Sequence, residues 1–124
     1  MLLVDANVIL RLLLRDNAEM TEQIIKVISR QSITLRHEVI AETVYVLQKV
    51  YGLPRDEIST VLTQFISLEN VETEHVDVLS EAFRVFAKKN LDFVDCLLYA
   101  FNSVKNYSIF SFDKELNTLL KRLR

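Results

Sequence analysis

Glycine and proline occur once each in this chain, and so does cysteine. A single glycine leaves no material for Gly-rich loops that cradle phosphates, nor for a Gly-x-Ser-x-Gly nucleophile turn. So few turn-forming residues predict a helix-rich chain with short connections and no flexible linker. A lone Cys96 excludes an internal disulfide and fits a reducing cytoplasm; within an apolar helix it reads as a small core residue. The formal net charge of −2 gives no global basic field, so nucleic acid could be held only through a local patch or a metal. No Cys/His spacing resembles a zinc site. No apolar run approaches the roughly 18 residues of a membrane span, and the N-terminus has neither the basic segment nor the cleavage site of a signal peptide. We therefore expect a cytoplasmic protein.

What remains is a chain of 124 residues, half of them hydrophobic, which is enough for one domain, 1–124, with a real core. Its periodicities alternate. Leu2-Leu-Val4 predicts a strand buried on both faces, central in a parallel sheet. Val8–Arg15 predicts an almost wholly apolar helix capped by Asn7, with Arg11 and Arg15 on one polar stripe. Ala18–Arg30 follows as a helix with Ile24, Ile25, Val27 and Ile28 inward, and Ser32–Leu35 as a strand. Helices are expected over Glu38–Tyr51, Arg55–Leu68, Val76–Lys89 and Asp92–Lys105, with Gly52 and Pro54 between the first two. Val71–Thr73 and Tyr107–Phe112 read as strands, and a short basic helix runs from Lys114 to the end. Strands alternating with helices imply an α/β three-layer sandwich around a central parallel β-sheet.

Four acids stand out. Asp5 and Asp113 each close an apolar strand, where open α/β sheets place ligands. Glu42 borders the apolar face of its helix. Asp95 shares a polar stripe with Asp92, Tyr99 and Asn102 on an otherwise apolar helix. Each has a plain structural alternative: Asp5 as a helix cap, Glu42 as a surface acid beside Gln48 or Lys49, Asp92 as a cap with Asp95 favouring the helix dipole, and Asp113 as a helix start. Asp92 is expected mainly as the cap, Asp95 as the ligand. Together, two acids come from strand ends and two from flanking helices. Carboxylates so gathered need a cation or must stay partly protonated. An all-oxygen set favours Mg²⁺ or Mn²⁺ over zinc. His37 and His75 read as surface or helix-start residues.

The segments Leu3-Val-Asp-Ala-Asn-Val-Ile-Leu10, Glu38-Val-Ile-Ala-Glu-Thr-Val-Tyr-Val-Leu47, Leu91-Asp-Phe-Val-Asp-Cys-Leu-Leu-Tyr-Ala100 and Ser111-Phe-Asp-Lys-Glu115, in this order, resemble PIN-domain ribonucleases. The likeness is to the VapC-type toxins of type II toxin–antitoxin systems and covers essentially the whole chain. It implies a metal-dependent endoribonuclease with catalytic and metal-binding Asp5, Glu42, Asp95 and Asp113, supported by Asn7 and Ser111. Asp5 and Asp95 would be primary ligands, Glu42 would act through water, and Asp113 would complete a second position. It also implies an RNA substrate, a homodimer, and an antitoxin whose C-terminal tail crosses the groove. Arg11, Arg15, Arg36 and Lys114 are the candidate phosphate contacts. The chain departs from the pattern in lacking glycines near the last strand and in ending on Lys121-Arg-Leu-Arg124, which bears on the edge of the sheet. Two other readings are a catalytically silent PIN-like adaptor binding RNA or protein, and a plain structural domain with scattered acids. A phosphatase of the haloacid dehalogenase type would want an aspartate where Asn7 stands.

Overall fold

A computed structural model of the chain describes residues 1–122; residues 123–124, the end of the expected basic tail, lie outside it. The element order is β1 (Leu2–Leu3), α1 (Ala6–Leu14), α2 (Ala18–Ile28), β2 (Ile33–Leu35), α3 (His37–Lys49), α4 (Arg55–Ile66), β3 (Val71–Thr73), α5 (Val76–Lys88), α6 (Phe93–Lys105) and α7 (Lys114–Arg122). The expected helices are present, with ends shifted by one or two residues. Among the described residues, three strands form one parallel sheet flanked by seven helices, the α/β three-layer architecture that the alternation implies.

Chain terminators explain the boundaries. Arg15 ends α1 and Asn106 ends α6 in the left-handed region, at φ 50° and 60°. The turn after α3 uses the single glycine, Gly52, at φ 67°. Pro54 precedes the first turn of α4, where a missing N–H costs no helical bond.

Parallel pairing aligns Leu2 with Ile33 and Ile33 with Val71, and their side chains share the face turned to the helices. Ile33, Leu35 and Val71 are buried there against α1, α3, α4, α5 and α6 residues such as Ile9, Ile40, Leu62, Phe83 and Ala100. α5 is the most enclosed helix, with Val78, Leu79, Ala82, Phe83 and Phe86 fully buried.

Four expectations need correction. The strand order β1-β2-β3 puts β1 at the sheet's edge, not its centre. Leu3 is consequently 55% exposed, on a face it shares with Thr34 and the exposed Glu72. Residues 107–112 form no strand among the described residues. Side-chain amides take the carbonyls at both ends of that segment, Asn102 donating to Tyr107 O and Asn117 to Ser111 O. Phe110 and Phe112 project outward, 87% and 90% exposed, so pairing gains no burial for them. On α2, Ile25 and Val27 are exposed while Ile24 and Ile28 are half-buried. The apolar stripe is narrower than its composition implies. Finally, Asn7 lies inside α1, and the residue that caps that helix is Asp5.

Candidate functional site

Asp5 stands one residue beyond β1 and immediately before α1, so its position is set by the end of the strand and the start of the helix together. Its Oδ1 accepts from Val8 N at 3.1 Å, and the side chain is exposed. The capping alternative is thus realised, and the second carboxylate oxygen stays open to another partner. Asp113 makes the same cap at α7, but among the described residues it closes no strand, contrary to the expectation. Its Oδ1 accepts from Leu116 N at 2.8 Å, and Ser111 Oγ accepts from Asp113 N at 3.0 Å. Ser111 therefore supports Asp113 by fixing its backbone.

On α6 the outcome inverts the expectation for Asp92. It occupies the N-cap position, but its carboxylate makes no capping bond and is exposed. Asp95, one turn on, is half-buried. Its pKa is raised, first by desolvation and then by the charges of Asp113 and Asp92. Asp92 and Asp113 are therefore each within electrostatic reach of Asp95. Glu42 is exposed on α3 and forms no ion pair among the described residues, Lys49 included. The helices that bear these acids pack in sequence, α1 on α3, α3 on α6 and α6 on α7. No hydrogen bond or ion pair joins Asp5 or Glu42 to the α6 acids, and no group of three His, Cys, Asp or Glu side chains is arranged as a cation site among the described residues. The donor chemistry nonetheless suits a hard divalent cation: several carboxylates, one of them destabilised in its charged form, with free oxygens.

The candidate phosphate contacts are less alike than the sequence implies. Arg11 is engaged, donating from Nη1 to Asp16 Oδ1 at 2.7 Å and from Nη2 to Tyr51 Oη at 3.2 Å. Arg36 donates from Nε to Glu38 Oε1 at 3.0 Å. Arg15 is exposed just past α1, and Lys114 is exposed beside Asp113. Lys114 also lines a cavity of about 340 Å³ with Lys89, Asn90 and Thr118.

Two histidines separated in sequence meet in space. His37 opens α3 and His75 precedes α5, and their rings lie 6.1 Å apart, each also against Phe101. One His37 nitrogen donates to Glu74 O at 2.7 Å, which gives the pair a structural role at the strand ends. Cys96 is buried in the core, its thiol pushed up to about 12, chiefly by burial.

Sequence reasoning missed Arg55. Its Nη1 donates to the carbonyls of Phe86, Lys89 and Leu91, clasping the segment that leads into Asp92. Periodicity gave no signal, because Arg55 sits in the polar first turn of α4. It also missed a cavity of about 310 Å³ between α3 and the start of α6, lined by Tyr45, Gln48, Lys49, Asp92 and Asp95.

The model of the PIN domain family matches residues 2–120. Comparison with curated proteins and with solved structures finds no match.

Proposed function

The chain belongs to the PIN domain family, and from that membership we propose that it is a metal-dependent endoribonuclease, the toxin of a toxin–antitoxin pair. PIN domains are generally nucleases that use divalent metal ions. The observation that carries the reading here is the Asp95 carboxyl, half-buried on α6 and destabilised in its charged form first by burial and then by the charges of Asp113 and Asp92. Oxygen ligands of this kind favour Mg²⁺ or Mn²⁺.

Asp5 and Asp95 would hold the ion directly, Glu42 through water, and Asp113 would complete a second position beside the RNA phosphate. A bound ion there supplies polarisation of a phosphodiester oxygen and a more acidic water. The chain's own contribution is orientation. The cap bond from Val8 fixes Asp5, Ser111 and the start of α7 fix Asp113, and Glu42 is free to orient the attacking water and take its proton. Lys114 and Arg15 would contact flanking phosphates.

The test uses the full chain with single-stranded RNA. Cleavage is expected with Mg²⁺ or Mn²⁺ and not with EDTA, and Asp95→Asn should lower the rate by about 100-fold or more, the scale of losing a charge-stabilising group. A folded Asp95→Asn variant that cuts at the wild-type rate would refute the assignment. Asp5 and Asp113 each commit an oxygen to a helix cap, which favours a second reading, a catalytically silent PIN-like domain binding RNA or protein. Calorimetry separates the two, since the silent domain gives no Mn²⁺ heat. A homodimer and a cognate antitoxin belong to the first reading, supported by Met20, Ile25 and Val27 exposed along α2. Sedimentation at micromolar concentration checks the dimer.

A further inference from the structure

The cavity between α3 and the start of α6 has polar and charged groups on opposed walls. Tyr45, Gln48 and Lys49 come from α3, and Asp92 and Asp95 from α6, over a floor that includes Ala41, Val44 and Phe93. At about 310 Å³ it is at the small end of ligand sites, which run from about 300 to 1,000 Å³. Tyr45 is 61% exposed; among the described residues its ring has no aromatic partner and its hydroxyl no hydrogen bond. Tyr51, by contrast, is tied to Arg11. Lys49 is likewise in no ion pair among the described residues.

An unengaged ring, an amide and an ammonium on one wall match the face, the edge and the phosphate of a nucleotide. The opposite wall carries Asp95, proposed above to hold the metal, with Asp92 beside it. We infer that this cavity is a nucleotide subsite, taking one unpaired base of single-stranded RNA stacked on Tyr45, with Lys49 on its phosphate and Gln48 at its edge. The inference rests on the nuclease reading for its location next to the cleaved bond. A base inside a duplex is already stacked on both faces and cannot reach the ring, so the subsite selects single strands. A second cavity, lined by Lys89, Asn90 and Lys114, draws on the adjoining stretch of chain and holds further cations.

The experiment is equilibrium binding of a fluorescein-labelled single-stranded RNA oligomer, read by anisotropy in EDTA, with cleavage followed separately in Mg²⁺ on gels. Tyr45→Ala should weaken binding between about 5- and 100-fold, the range for loss of one base–aromatic stack. Tyr45→Phe should bind like wild type. Lys49→Gln should weaken binding less and flatten the salt dependence by about 0.7 in log K against log salt. The same RNA annealed into a duplex should bind more weakly and ignore Tyr45. Matching melting temperatures show that the variants fold, since both side chains are exposed. Wild-type affinity in Tyr45→Ala, or no RNA binding by wild type, would overturn the subsite. Binding that depends on Tyr45 without any cleavage would uphold the subsite and refute the nuclease reading alone. RNA affinity indifferent to Tyr45, with an arginine-containing peptide held through it instead, would give the cavity to a protein partner and also overturn the proposal.

Discussion

Arg55 donates to Phe86 O, Lys89 O and Leu91 O at 3.0, 2.7 and 2.9 Å, and its guanidinium lies 4.2 Å from the centre of the Phe86 ring. Removing it leaves part-buried carbonyls without a donor, so Arg55→Met should destabilise the fold by roughly 3 kcal/mol in urea unfolding. Arg55→Lys should recover only part of that, since an ammonium can donate to these carbonyls but cannot lay a planar group over the Phe86 ring. Asp95 works in the opposite sense. Its pKa is raised by burial and by Asp113 and Asp92, so the folded state binds that proton more tightly than the unfolded one. Its contribution to stability is fullest below the ordinary aspartate value and is lost as pH rises through the raised one. Asp95→Asn should therefore melt higher than wild type at neutral pH in EDTA, and the gap should close as pH falls towards the ordinary carboxylate range. Mn²⁺ should raise the melting temperature of wild type and leave the variant unmoved.

At the scale of elements, two helices begin on acids that the nuclease reading also uses. Asparagine caps as well as aspartate, so Asp5→Asn should keep α1 and the melting temperature while abolishing RNA cleavage. Asp5→Ala should lose cleavage and, in addition, about 1 kcal/mol of stability. Paired urea and cleavage assays check both. Most helices were legible in the sequence because each lays a continuous stripe on one core; α5 is the clearest, with Val78, Leu79, Ala82, Val85 and Phe86 all buried as the spacing predicts. The α2 face was not, because Ile25 and Val27 look inward by composition and nothing in the sequence reveals that only part of that helix is covered. Nor was the 107–112 segment. Its alternation predicts a strand, but strand formation also needs a free partner edge and free backbone groups, and Asn102 and Asn117 have taken two of the carbonyls.

For the molecule as a whole, the order of the helices and of three of the four expected strands followed from pattern alone. What pattern could not supply is which groups are already occupied. Asp92 is free of capping, Arg11 is engaged with Asp16 and Tyr51, and Arg55 clasps a loop, because each depends on neighbours distant in sequence. β1 itself is only Leu2–Leu3, bonded on one side alone, while α5 is enclosed by α4 and α6. Local openings should therefore start at that rim and leave the helical body intact. Backbone amides near Leu3 should exchange with deuterium far sooner than those of Phe83. Since Asp5 hangs from the same short strand, gentle warming should silence RNA cleavage while circular dichroism still reports full helix content. On the nuclease reading, activity would then fail by fraying at one margin, well before the fold melts.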